Sequence, residues 1–218
     1  MTSLAVRRVT WSHPELAAAA VAAGAWMVVV VHAQHPHGPG EPYLADLSGW
    51  MVMVMATMLP GALADVRLVA LSSMWSRRQR TVTLFLGSYV CVWIGFGVVA
   101  IGVAAEASVG VLLALAAVWE LTAWKWRAVR RCHLVEALPP HGARADAACA
   151  RAGLRYGWRC VVSCWPLMLA MAAAGHQAVA LMALMTVVVA AEKIVVRSAR
   201  LRAPAAAALA GAALLALV

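Results

Sequence analysis

Charge is scarce in this chain. Only 12% of its 218 residues are Asp, Glu, Lys or Arg, 64% are hydrophobic, and the mean hydropathy is +0.82. A soluble domain carries about a quarter charged residues. A fully solvated surface is therefore excluded, and an integral membrane protein is expected. Catalytic signatures are missing too: the sequence shows no glycine-rich nucleotide loop, no Ser/His/Asp set and no paired catalytic carboxylates. A non-enzymatic role is favoured, with an enzyme left open. Five cysteines are an odd number without the spacing of a secreted disulfide framework,. The first apolar segment follows Arg7 and Arg8 and lacks a small-residue cleavage site, so it is expected to stay as a membrane helix,.

What is present is a series of apolar runs near residues 16–33, 47–71, 82–105, 107–124, 156–175, 178–195 and 204–218. About 20 apolar residues cross about 30 Å of hydrocarbon. The expectation is an all-α, polytopic membrane helix bundle. It forms one integral membrane domain over residues 1–218, with seven transmembrane helices and a cytoplasmic loop near 126–155. The last run is short and must thin the bilayer or span imperfectly.

The net charge of +9 has a one-sided distribution. Arg7 and Arg8 precede the first run, and Arg67, Arg77, Arg78 and Arg80 lie between the second and third. Lys125, Arg127, Arg130, Arg131, Arg144, Arg151, Arg155 and Arg159 bracket the 126–155 loop. Lys193, Arg197, Arg200 and Arg202 follow the sixth run. Under alternating threading all of them fall on one side, which the positive-inside rule makes cytoplasmic, together with the N-terminus. The positive charge is thus a topology signal and an attraction to anionic lipid, and no nucleic-acid partner is expected. The partner is the lipid bilayer of the cell membrane.

Sulfur supplies the best clue to function. Cys160, Cys164, Met168 and Met171 share one helix face at about 100° per residue,. Cysteine and methionine side chains on one stripe suit a soft metal such as Cu(I). Met51, Met55 and Met58 share a face of the second run, with Met53 pointing away. Pro60 and Pro166 follow the sulfur residues and free the carbonyls of Ala56 and Val162,. The competing explanation is that Met and Cys are apolar filler. It is the stronger for the methionines alone, and evenly balanced for Cys160 with Cys164.

Accessory ligands are His32, His35 and His37 in the first external connection, His176 in the third, and Cys132 with His133 on the cytoplasmic side, where Cys149 also lies. Imidazole accepts Cu(II), Zn(II) or Ni(II), but a polar loop at the headgroup level is the favoured explanation of the histidines. Among the intramembrane charges Glu120, Glu192 and Lys193, with Lys125 nearby, ion pairing near the cytoplasmic rim is expected for the lysines. The two glutamates remain open between pairing and a pathway role. Tryptophans, Trp50 and Trp126 among them, are expected to mark the interfaces.

The segments Trp50 to Pro60 (WMVMVMATMLP), Lys125 with Cys132, Gly153 to Met168 (GLRYGWRCVVSCWPLM) and Glu192–Lys193 occur in a fixed order over roughly residues 45–200. In this the chain resembles the bacterial predicted metal-binding integral membrane proteins often labelled copper chaperones. The chain departs from the family pattern at three places. Thr57 stands where a second Met precedes Leu-Pro, Val162 and Ser163 replace a Gly-Cys pair, and Ala128 replaces an upstream cysteine. The resemblance implies a metal-related function with copper as the metal, and the sulfur pattern offers Cys160, Cys164, Met168, Met58 and Met55 as its ligands. Two other functions stand beside it. One is a non-catalytic membrane subunit that anchors a partner, either a small soluble companion or a membrane enzyme. The other, ranked last, is a thiol-redox enzyme, because cysteines four apart on an intact helix are poorly disposed for a disulfide.

Overall fold

The computed structural model describes residues 13–33, 43–132, 139, 142–174, 179–194 and 202–217. Among these the chain is all-α, with no strand. The helices are α1 (Glu15–Ala33), α2 (Tyr43–Met58), α3 (Leu63–Leu71), α4 (Arg78–Glu106), α5 (Val109–Glu120), α6 (Ala123–Cys132), α7 (Ala143–Ala174), α8 (Val179–Ile194) and α9 (Arg202–Leu217).

Trp75–Glu106 and Ala143–Ala174 are long and apolar enough to cross a membrane. Two bent pairs raise the number of candidate spans to four. The first is α2 with α3, which turns by 48° through a 3₁₀ turn at Pro60–Ala62. Pro60 cannot continue the α-helical ladder, and the Tyr156 hydroxyl donates to the buried Gly61 carbonyl at 3.3 Å. The second is α5 with α6, bent by 73°.

The run at 107–124 is therefore not one straight helix. The Thr122 hydroxyl accepts from the Lys125 amide at 3.3 Å and so acts as the N-cap of α6,. The basic segment that follows is helical through Cys132, and helix resumes at Ala143. Much of the expected 126–155 loop is thus helix, and the expected span at 156–175 is the second half of α7. At about 1.5 Å per residue a helix of that length runs about 48 Å, well beyond the hydrocarbon thickness. The protruding ends of α4 and α7 are tied by Asp146, which pairs with Arg77 and, at 2.6 Å, with Arg80.

The axis of the bundle is the α4–α7 pair. Gly153 and Gly157 let α7 approach α4. A Cβ at Gly153 would overlap the Phe85 carbonyl, and one at Gly157 would lie 3.0 Å from Val92 Cβ. Their spacing of four is the small-residue pattern of close membrane helices. Beside this contact Phe85 and Tyr156 pack at 5.5 Å between ring centroids, and Tyr89 meets Tyr156 at 5.6 Å. Trp50 crosses from α2 to donate to the Trp93 carbonyl at 3.0 Å. Trp50 and Trp126 are buried, whereas Trp75, Trp124 and Trp158 are exposed. A buried indole N–H usually finds a partner; that of Trp126 donates to the Glu120 carbonyl at 3.3 Å, whereas that of Trp93 meets none among the described residues.

Candidate metal centre

The stripe predicted on α7 is real and faces inward. Cys160, Cys164, Met168 and Met171 are all buried, none more than 2% exposed. Cys164 Sγ lies 3.6 Å from Met58 Sδ, which brings the end of α2 onto the cysteine pair. Cys160 Sγ lies 3.6 Å from Tyr89 Oη of α4. Met168 Sδ accepts from the Thr57 hydroxyl at 3.9 Å, and the same hydroxyl bonds to the Met53 carbonyl at 2.8 Å. Four sulfurs from two helices thus stand along one seam, covering about 12 Å of α7 from Cys160 to Met168.

The thiol of Cys164 has a local partner, donating to the Cys160 carbonyl at 2.9 Å. That carbonyl also accepts from Ser163 at 2.8 Å. Two residues further, the Val162 carbonyl that Pro166 frees accepts from Trp119 Nε1 of α5 at 3.0 Å. Trp119 is itself braced edge-on by Trp165 at 5.5 Å. The proline interruption in the sulfur helix is therefore satisfied from a neighbouring helix.

The remaining predicted residues divide into three groups. Met55 is half-buried and packs both with Ala18 and Ala22 of α1 and against the main core that holds Met58 and the cysteines, while Met53, expected to point away, is buried. The buried arc of α2 runs through Trp50, Met53, Val54, Thr57 and Met58, which turns Met55 to its flank. Glu120, Lys125 and Glu192 converge: Lys125 Nζ pairs with Glu120 Oε1 and, at 2.9 Å, with Glu192 Oε1. The pairing expected of Lys125 is present, and both glutamates are its partners. His32, His35, His37, His176, Cys132, His133 and Lys193 lie outside the residues whose side chains are described. Cys149 is buried in α7.

Among the described residues no three His, Cys, Asp or Glu side chains converge as a metal site. The soft donors gathered here are the two thiols and the thioethers beside them. Such a donor set fits Cu(I), which accepts two or three sulfur ligands, and suits hard cations poorly.

The fold and this seam define a class: an all-α protein with helices apolar enough to cross a membrane and a buried row of soft donors. The chain matches the family described as Copper chaperone over residues 47–216, and it belongs to that family. No curated protein and no solved structure matches it.

Proposed function

We propose that this protein is a multi-pass membrane protein that captures Cu(I) at Cys160 and Cys164, assisted by Met58 or Met168, and hands it on. The observation that carries the reading is the Cys164–Met58 contact of 3.6 Å between two helices, with Cys160 one turn away and every sulfur buried. Two thiolates and one thioether satisfy Cu(I), so the cysteine replaced by Ser163 is not required for binding. Copper here is cargo. Each thiol that ligates gives up its proton, so uptake weakens as pH falls.

Copper titration of the detergent-purified protein against a colorimetric Cu(I) chelator tests the site. Every 1.4 kcal/mol is tenfold in affinity, so loss of both thiolates in Cys160→Ser/Cys164→Ser is expected to weaken binding about a hundredfold or more. Equal uptake by the variant would reject the site. The remaining reading would then be a non-catalytic subunit that anchors a small soluble protein or a membrane enzyme.

Seven spans with a cytoplasmic N-terminus are part of the same proposal. Two long helices, two bent pairs and the shorter apolar helices Glu15–Val31, Val179–Glu192 and Ala203–Ala216 add to that number. Local bilayer thinning accommodates the short ones. The one-sided Lys/Arg distribution supports the orientation. A cysteine introduced at Gly38 should react with an impermeant reagent on intact cells, and one at Arg78 should not. The opposite pattern would invert the orientation.

A further inference from the structure

The helix α6 has the sequence AWKWRAVRRC and turns by 73° from α5. With α5 crossing the bilayer, that turn lays α6 near the membrane plane, where amphipathic helices rest at the level of the headgroups. Its two faces differ in kind. Lys125, Trp126, Ala128 and Val129 are buried, while Trp124, Arg127, Arg130 and Arg131 are exposed. The steps of three and four from Trp124 to Arg127 to Arg131 keep these side chains on one face of the helix.

The arginines of that face have no counter-charge in the protein. Among the described residues no carboxylate pairs with Arg127, Arg130 or Arg131. Glu120 and Glu192 lie on the buried side and are taken up by Lys125. The Arg127 guanidinium stands 5.7 Å from the centroid of the Trp124 ring, and a guanidinium held against an aromatic face keeps its N–H edge available for an anion. Arg159 of α7 donates through Nη1 to the Arg131 carbonyl at 2.7 Å. That bond satisfies a carbonyl at the end of α6 and fixes it beside the turn of α7 that exposes Trp158.

Exposed indoles beside unpaired guanidinium groups are matched by one environment. Tryptophan settles at the boundary between hydrocarbon and water, and the fork of arginine fits a phosphate with two parallel hydrogen bonds. Basic clusters next to a membrane helix attract anionic lipid. An acidic protein surface would meet the arginines but gives no reason for the two indoles beside them.

We propose that α6 and the adjoining turn of α7 form a binding site for the phosphate headgroup of an anionic phospholipid, held by Arg127, Arg130 and Arg131 and flanked by Trp124 and Trp158. The site lies on the side proposed above to be cytoplasmic. It uses none of the sulfur residues, so it stands independently of the copper reading. It also differs from the general attraction of a basic surface to a membrane, because it needs these three arginines and not the others.

The test is titration of the full-length, detergent-purified protein with dioleoyl phosphatidylglycerol or dioleoyl phosphatidylcholine, read by native mass spectrometry. Each arginine at an anionic surface is worth about fivefold in binding. The wild type is therefore expected to retain phosphatidylglycerol on the order of a hundredfold more tightly than phosphatidylcholine. Arg127→Gln/Arg130→Gln/Arg131→Gln should bring the two lipids level, and Arg127→Gln alone, the milder variant, should cost about fivefold. Arg144→Gln/Arg151→Gln, on the exposed first half of α7, is the charge-matched control and should keep the preference. Equal retention of the two lipids by the wild type, or equal losses in the control and the α6 variant, would overturn the site. Displacement of phosphatidylglycerol by inorganic phosphate or by an oligoglutamate peptide would overturn the lipid as its occupant in favour of a soluble anion or an acidic protein.

Discussion

Lys125→Met is expected to destabilise the protein by about 3–5 kcal/mol, because it strips the counter-charge from two buried carboxylates. Lys125 and Glu120 have no exposed side-chain surface, and Glu192 has only 5%. The pairing joins the α5–α6 corner to the end of α8, so its loss affects three elements at once. Glu120 Oε2 is already buried with no hydrogen bond among the described residues, leaving that group little margin. The intact cluster need not add net stability over an apolar one of the same shape, since desolvation of three charges opposes their attraction. The destabilisation comes from breaking it unevenly. In a Glu120→Gln/Glu192→Gln background the same Lys125→Met change should therefore cost far less. Unfolding of the detergent-purified variants, followed by circular dichroism or thermal aggregation, measures both. Equal losses in the two backgrounds would show that Lys125 acts through packing of its stem and not through its charge.

That cluster also shows where sequence reasoning stops. The need of a buried lysine for a carboxylate follows from desolvation alone, and the charges at 120, 125 and 192 stand out in apolar runs. That one lysine meets two glutamates, one from α5 and one from α8, depends on how helices distant in sequence pack. Periodicity carries no record of that.

The sulfur seam divides in the same way. The 3.6-residue period alone places Cys160, Cys164, Met168 and Met171 on one face, and the structure buries all four. On α2 the same rule grouped Met55 with Met58; Met58 is fully buried, while Met55 lies at the edge of the buried arc and touches both the main core and the small α1 cluster. The proline at 166 announced a free Val162 carbonyl. Its donor, Trp119, lies 43 residues away and could not be named from sequence. The bend that splits the 107–124 run did have a local signal in Thr122, a helix N-cap residue set inside an apolar stretch,. The spacing of Gly153 and Gly157 was a second readable signal, independent of the sulfur pattern.

Gly153 carries the other large effect, and its sign is decided by two opposing magnitudes. Alanine in a helix interior is favoured over glycine by about 1 kcal/mol. At Gly153 the added Cβ would overlap the backbone carbonyl of Phe85 and sit 3.0 Å from both the Phe85 carbonyl carbon and Ser88 Cβ. Backbone cannot rotate aside as a side-chain tip can, so α4 and α7 must separate along the axis of the bundle. Overpacking costs about 1–3 kcal/mol, occasionally more, and here the upper end applies. Gly153→Ala is expected to destabilise by about 2 kcal/mol net of the propensity gain, and Gly153→Val by more, since its branched side chain is larger. Gly95 in α4 is the internal control. A Cβ there meets nothing within 4 Å, so Gly95→Ala should be neutral or stabilise by up to about 1 kcal/mol. The shift should also reach the metal seam. Separation of α7 from α4 pulls Cys160 from Tyr89, so Gly153→Ala should weaken Cu(I) binding while Gly95→Ala leaves it intact. Thermal unfolding and chelator competition on the two variants read both effects, and loss of stability in Gly95→Ala equal to that in Gly153→Ala would refute the close-approach argument.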